Sequence, residues 1–415
     1  MKAKPFEIGK REVYQAFKQV KKNNGAGGID RISLDKYELN LKNNLYKLWN
    51  RMSSGSYFPL SVRGVEIPKK NGKMRLLGIP TIDDRIAQMI VRNRLEEKVE
   101  PIFLDNSYGY RPNRSAIGAI QKARENCFKY SWLIEFDIVG LFDNIDQNLM
   151  MKAVKKFLKE QWEILYIERW LKASIVLPNG IIQARTKGTP QGGVISPVLA
   201  NLFLHYVFDL WMKRTFNGID FERYADDGII HCKSLEQANY VLDKLKKRMQ
   251  ECGLEIHPSK TKIVYCKSYK NTLNYPNNEF TFLGYTFKPS IVKTKDGKLI
   301  LGYVPMVSKE SAKKFRKTIK DRIKRAKSSD IVKIAEEINP IIRGWYNYFG
   351  VFSRHIAYKL GINYLNITLA RWIKHWYKKC RRSLKKAFKK LYYIYKSSFK
   401  MFYHWEIGFS PKKNW

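Results

Sequence analysis

Phe221-Glu-Arg-Tyr-Ala-Asp226-Asp227-Gly228-Ile-Ile-His-Cys232 is the stretch on which the fold turns. Strand-forming residues flank two adjacent acids and a glycine, the pattern of a short hairpin with carboxylates at its turn. On its own it is equally an exposed Asp-Asp-Gly turn chosen for its conformation. Adjacent like charges repel, and burial would raise their proton affinity. A second stretch shifts the balance: Ser131-Trp-Leu-Ile-Glu-Phe-Asp137-Ile138 is a short buried strand running into an acid. Two strands ending in carboxylate could bring Asp137, Asp226 and Asp227 together, and only a divalent cation would make that cluster favourable. Oxygen ligands suit Mg²⁺, which shares its shell with phosphate oxygens and water; Mn²⁺ is a ready substitute. A two-Mg²⁺ site that activates a 3′ hydroxyl and stabilises leaving pyrophosphate performs phosphoryl transfer.

Charge supplies the substrate class. The 415 residues carry 78 Lys+Arg against 37 Asp+Glu, a net +41, and a chain so cationic implies a polyanionic partner, here nucleic acid. With 44% apolar and 14% aromatic residues it can build a large core, and its length exceeds what one compact core organises. No apolar run is long enough to span a bilayer, and Met1-Lys-Ala-Lys-Pro-Phe-Glu7 lacks the apolar core of a signal peptide. The five cysteines (127, 232, 252, 266 and 380) form no C-x-x-C pair, which predicts reduced thiols in a cytoplasm and no Cys-pair zinc site. The six histidines show no ligand spacing. A secreted or membrane protein is not expected.

The charge is uneven along the chain. From Leu301 to Trp415 there are 28 basic and 6 acidic residues, and none is acidic between Arg371 and Lys400. Phe315, Ile319, Ile323 and Ala326 lie at helical spacing among lysines and arginines. Ser329-Asp330 offers an N-cap for a helix over Ile331–Ile338. The series Leu369, Ile373, Trp376, Cys380, Leu384, Ala387, Leu391 and Ile394 predicts a core-facing helical stripe. Before this basic part, Val65–Ile79 predicts a hairpin about Asn71-Gly72, Ala116–Phe128 and Leu235–Gly253 predict helices, and Lys267–Glu279 predicts a surface loop. Hairpins among helices indicate an α+β fold.

Five segments in order carry a resemblance. Phe136-Asp-Ile-Val-Gly-Leu-Phe-Asp-Asn-Ile145, Thr189-Pro-Gln-Gly-Gly-Val-Ile-Ser-Pro-Val-Leu-Ala-Asn-Leu-Phe-Leu204, Tyr224-Ala-Asp-Asp227, Gly253-Leu-Glu-Ile-His-Pro-Ser-Lys-Thr-Lys262 and Phe282-Leu-Gly-Tyr285 resemble the palm and following motifs of reverse transcriptases. Asn24-Gly-Ala-Gly-Gly-Ile-Asp30, Ser107-Tyr-Gly-Tyr-Arg-Pro-Asn-Arg-Ser-Ala116 and Ile341-Ile-Arg-Gly-Trp-Tyr-Asn-Tyr-Phe349 are similar to bacterial group II intron reverse transcriptases, or maturases. Many such proteins append an H-N-H endonuclease domain with zinc-binding Cys pairs; this chain lacks those pairs, so DNA second-strand cleavage is not expected of it.

The resemblance implies a right-hand polymerase: fingers over 1–125, palm over 126–303, a helical thumb or maturase X domain over 304–372, and a basic nucleic-acid-binding region over 373–415. It implies that Asp137, Asp226 and Asp227 are the catalytic metal ligands, with the carbonyl of Ile138 as a further ligand. Lys69 and Arg75 match residues that hold the incoming deoxynucleoside triphosphate, a task suited to a guanidinium fork; the alternative is a solvated hairpin. Gln191 would contact the nucleotide, with Gly192 and Gly193 permitting close backbone approach. Phe142 matches the ring that crowds the sugar's 2′ carbon, or is palm core. Lys260 aligns with a lysine proposed to protonate pyrophosphate, or is a surface charge. Asp143 and Asp146 read as caps at helix starts. Arg111 and Arg114 touch template backbone or form structural ion pairs. Lys313, Arg316, Lys317 and Lys320 would face a template–primer duplex; Lys378, Lys379, Arg381, Arg382, Lys385 and Lys386 would reach intron RNA or target DNA, mainly through phosphates.

The implied protein is a bacterial cytoplasmic RNA-directed DNA polymerase, nucleoid-associated on DNA, with intron RNA or another RNA template, a DNA primer or target and dNTPs as partners. It has no membrane partner, and homodimerisation is left open. Its rivals are a domesticated relative in host repair or antiphage defence, and an RNA-binding splicing cofactor with a silent polymerase site.

Overall fold

The structure, a computed structural model, describes residues 5–68, 74–266, 275–293, 296–326 and 330–411. The chain forms two compact units, Met1–Ala119 with Ile134–Lys262, and Ile120–Leu133 with Ile263–Trp415.

In the first unit, helix Lys10–Lys22 buries Val13, Ala16, Phe17 and Val20, an i, i+3, i+4, i+7 stripe. That stripe packs on helix Ile82–Val99, whose N-cap hydroxyl on Thr81 accepts from the Asp84 amide. Strands β1 (Val62–Pro68) and β2 (Met74–Ile79) pair antiparallel, as the alternation predicts; the Asn71-Gly72 tip and Lys69 lie outside the described residues. β3 is Trp132–Asp137. β4 (Ile175–Val176) runs parallel to β1, and β5 (Ile182–Gln183) closes a sheet of order β2-β1-β4-β5. β6 (Phe221–Tyr224) and β7 (Asp227–Cys232) form the hairpin expected from the sequence, and β7 lies beside β3. Helix Leu235–Glu251 follows, and β8 (Lys262–Tyr265) carries the chain onward.

The second unit opens on β9 (Phe280–Phe282), β10 (Tyr285–Lys293) and β11 (Leu299–Val307), an antiparallel sheet of order β11-β10-β9. The Leu283-Gly284 turn between β9 and β10 has positive φ at both residues, 51° and 83°. The motif residues after it lock together: Tyr348 donates its hydroxyl to the Leu283 carbonyl at 2.9 Å, and Tyr285 donates to the carbonyl of Tyr348. Helix Lys309–Arg325 buries Ala312, Phe315, Ile319 and Ile323, and Phe315 stacks on Trp345 with centroids 4.3 Å apart.

Two helical expectations need correction. The helix capped by Asp330 does not stop at Ile338 but runs Ile331–Phe349 through Pro340. Proline removes one backbone donor, yet Ile338, Ile342 and Phe349 are all buried on the core side, and that burial outweighs the lost bond. The stripe from Leu369 to Ile394 belongs to two helices, Asn363–Trp376 and Leu384–Ser397. Tyr377 turns extended, and Ser383 restarts the second helix by accepting from the Lys386 amide at 3.2 Å. One apolar cluster, from Phe315 to Trp405, embeds both helices, so the basic segment shares its core with the preceding helices.

No helix among the described residues is long and apolar enough to cross a membrane. All five cysteines are free and buried.

Candidate active site

The carboxylates meet because two strands approach closely. Gly228 begins the descending arm of the hairpin, and a Cβ there would lie 2.2 Å from the Phe136 ring. Glycine is therefore required for β3 to lie against β7, which sets Asp137 beside Asp227. The turn between Tyr224 and Asp227 places Ala225 at φ 56°, a left-handed conformation costing a side-chain-bearing residue roughly 1–2 kcal/mol. The surroundings hold it there. Arg223, fully buried, pairs with Asp209 at 2.6 Å and donates to the Ala225 carbonyl, to Asn201 and to Ser107. Gly109 packs so close that a Cβ would reach 2.5 Å from the Ala225 amide. The Ser107–Ala116 segment thus props the carboxylate turn.

Burial, with its neighbour Asp226 and with Asp137 as further causes, holds the Asp227 carboxyl well above the usual carboxylate range. Asp226 is raised as well, chiefly by burial and then by Asp137. Lys260 is the cation paired directly with this group, its ammonium bonding Asp137 at 2.8 Å. Its side chain is otherwise exposed, so this is a surface pair and not a buried one. Among the described residues no group of three His, Cys, Asp or Glu side chains is arranged to hold a metal ion unaided. The donor set still fits a hard cation: adjoining carboxylates with raised proton affinity are what a divalent ion relieves, and Mg²⁺ commonly completes its shell with water and substrate phosphate.

A second group adjoins the aspartates. Gln191 accepts from Arg75 Nε and donates to Asp143 at 2.7 Å. Arg75 is exposed and lies near enough to lower the Asp226 carboxyl. The Pro-Gln-Gly-Gly loop is held from behind: Gln88 accepts from the Val194 amide at 2.8 Å, and Gly78 donates to the Gln191 carbonyl at 2.7 Å. Gly192, at φ 121°, would bring a Cβ 2.4 Å from the Gly78 carbonyl. Its close approach is therefore to the protein's own strand β2. Phe142 is nearly buried, its ring edge-on to Tyr110.

Other expectations are placed as follows. Asp146 caps helix Gln147–Phe157 by accepting from the Leu149 amide at 2.8 Å. Asp143 does not cap: Gly140 holds that position, and Asp143 turns to Gln191. Ile138 donates its amide to the Asp226 carbonyl at 3.3 Å. Arg111 is an internal residue, bonded to Glu100 at 2.7 Å and to the carbonyls of Leu104 and Ser107; with its donors so engaged, the template contact gives way to the structural ion pair. Arg114 is paired with Asp105. Arg316 donates to the Leu360 carbonyl, while Lys313, Lys317 and Lys320 are exposed. Lys378, Lys379, Arg381, Arg382, Lys385 and Lys386 are all exposed. No local pattern announces the Gln191–Asp143 bond, because 48 residues separate its partners. Arg223 was detectable: an Arg and a Glu inside an otherwise apolar hairpin must be paired, and Glu222 bonds His231 at 2.7 Å.

Comparison with known proteins places this geometry. Residues 67–287 match the model of the reverse transcriptase (RNA-dependent DNA polymerase) family, and residues 312–393 match the group II intron, maturase-specific domain. The chain is similar to the group II intron-encoded protein LtrA of Lactococcus lactis subsp. cremoris, 34% identical over 56% of this chain and 39% of that one. It is also similar to protein YkfC of Escherichia coli K12, 31% identical over 58% and 60% of the two chains. The chain thus spans less than two thirds of the curated relatives it matches. A telomerase structure from Candida albicans, in complex with a fragment of telomeric RNA, aligns with TM-score 0.45 and 13% identity over 82% of this chain and 63% of that one. Helices interleaved with antiparallel hairpins, in a chain that matches the reverse transcriptase family model, are the α+β right-hand polymerase fold. The family model spans more than half of the chain and covers both strands that bring the aspartates together, so the chain belongs to the reverse transcriptases.

Proposed function

We propose that the protein is an RNA-directed DNA polymerase encoded by a group II intron, which copies RNA into DNA and binds intron RNA to assist its splicing and mobility in a bacterial cytoplasm. The observation that carries the reading is the Gly228–Phe136 crossing, which sets Asp137 beside Asp227 at a strained, buttressed turn. The family works with divalent metal ions; here two Mg²⁺ would be held by Asp137, Asp226 and Asp227 with the carbonyl of Ile138. Such ions, when bound, activate the primer 3′ hydroxyl and offset charge on the leaving pyrophosphate.

The chain's own residues supply the positioning. Arg75, with Lys69 beyond the described residues, offers a cationic grip for the triphosphate. Gln191 presents its amide to the nucleotide, oriented by Asp143. Phe142, held by Tyr110, faces the sugar's 2′ carbon and leaves no room for a hydroxyl. Lys260, paired with Asp137 at 2.8 Å, is the ammonium that would stand beside the leaving group. The first unit provides most of the fingers and palm, and the second provides the rest of the palm, over 263–303, and the thumb, where Lys313, Lys317 and Lys320 meet the template–primer backbone.

The test is primer extension on an RNA template with dNTPs and Mg²⁺. The Asp226→Ala, Asp227→Ala double variant should lose extension by orders of magnitude and retain RNA binding, because the exposed cations of the second unit are unchanged. Extension near the wild-type rate would overturn the catalytic assignment. Extension lost in both proteins with RNA binding intact would favour a splicing cofactor.

A further inference from the structure

The second unit contains a cavity of about 540 Å³ that the proposed polymerase chemistry does not use, within the range that buries small organic groups. It lies between helices Lys309–Arg325 and Asn363–Trp376, walled by Ile323, Tyr364, Trp372 and Trp376. Lys324 and Arg371 line it too, beside the Lys320 already assigned to the duplex backbone, and none of the three makes an ion pair among the described residues. Trp376 is 40% exposed, a large indole held in the open. Trp372 is 6% exposed, and its indole N–H is buried with no acceptor among the described residues, a deficit that ordinarily costs stability unless something fills it.

We propose that this cavity takes one unstacked nucleobase of a single-stranded nucleic acid. The ring lies against Trp376, and the adjoining phosphate meets Arg371 and Lys324. Two features select this occupant together. Flat aromatic walls stack any base, since every base presents a π face. Unbalanced cations at the same opening require an anionic ligand, and a nucleotide joins an anion to an aromatic ring within one residue. The inference deepens the nucleic-acid-binding half of the proposed function and is independent of the polymerase half.

The probe is a set of oligonucleotides: a fully paired hairpin, the same hairpin with one unpaired 2-aminopurine, and the DNA counterpart of each. The full chain should prefer the bulged form and quench its 2-aminopurine emission. Trp376→Ala should weaken bulged binding about ten-fold and abolish the quenching, with paired-hairpin affinity and primer extension unchanged. Trp376→Phe should restore most of both. Arg371→Gln should lower the slope of log affinity against log salt by about one. Loss on RNA alone assigns the site to RNA, and equal loss on DNA assigns it to either strand; both support the pocket. Bulged affinity unchanged in Trp376→Ala, or lost equally for bulged and paired forms, overturns it and leaves the cavity to a protein partner. Wild-type failure to extend primers would sink the polymerase reading and leave the bulge preference standing.

Discussion

The carboxylate turn and the basic helices handle charge in opposite ways. At the turn, three acids are drawn together against their own repulsion, and buried Arg223, Gly109 and Gly228 exist to keep them there. Each residue has one task fixed by its neighbours. In the helix from Leu384 to Ser397 and the turn before it, the apolar side is sealed by Ala387, Phe388 and Leu391, while the cations at 378, 379, 381, 382, 385 and 386 stand exposed. Among the described residues no ion pair ties any one of those six to a single position. The first arrangement suits bond chemistry, which needs sub-ångström placement. The second suits phosphate contact, which adds charge by charge. Single substitutions should therefore be severe at the turn and mild on the helices.

Neutralising the helices as a group gives the largest effect on RNA binding. Replacing Lys378, Lys379, Arg381, Arg382, Lys385 and Lys386 by Gln should lower the salt slope of RNA binding by about four to five, whereas one replacement lowers it by about one. Affinity at moderate salt should fall by roughly 10²–10³, and splicing assistance with it, while extension of a short primer is largely retained. A salt series beside an extension assay measures both. An unchanged slope would show that these cations do not meet phosphate and would erase the contrast between the regions.

Phe142, on the short helix Leu141–Asn144 after β3, tests whether a nearly buried ring has a task beyond packing. Phe142→Val should raise ribonucleotide incorporation relative to deoxynucleotide by roughly ten-fold. It should also lower stability by about 2–4 kcal/mol, as a cavity does. Incorporation ratios and melting temperature from one preparation separate the two effects. A lowered melting point with an unchanged ratio would leave Phe142 as core alone.

What could be read from sequence follows the same division. The hairpins, Asp137 at the end of β3 and the adjacent Asp226-Asp227 pair are local patterns of alternation and turn chemistry, and they stand where expected. Helix ends were less legible. Pro340 marks a helix end by its chemistry, yet buried Ile338 and Ile342 carry the helix past it; periodicity alone joined two helices across Cys380 because spacing persists through a turn. Side-chain partners were least legible of all. Arg111 reads equally as a template contact or an ion pair until Glu100 and two carbonyls surround it, and Asp143 reads as a cap until the Pro-Gln-Gly-Gly loop arrives from 48 residues away. Such partners are set by tertiary approach, for which one sequence holds no local signal.

Asp143 yields the smallest effect and the sharpest distinction between packing and positioning. Its carboxylate accepts from Gln191, so it orients the amide proposed to meet the nucleotide without touching the nucleotide itself. The Gln191–Asp143 bond is exposed, which reduces a charge-assisted hydrogen bond to about 1 kcal/mol. Asp143→Leu should accordingly raise KM for dNTPs about five-fold, the equivalent of that energy, with kcat changed little. Asp143→Asn keeps an acceptor oxygen and should lie between Leu and wild type. If Asp143 acts through Gln191, the KM effect of Asp143→Leu should vanish in a Gln191→Ala background, since neighbours in one network are non-additive. Additive effects would mean that Asp143 works elsewhere, for instance through Arg185, which is half-buried and feels the Asp143 charge. A fall in kcat without a rise in KM would place Asp143 in the chemistry itself, and the separation between positioning network and metal ligands would then fail.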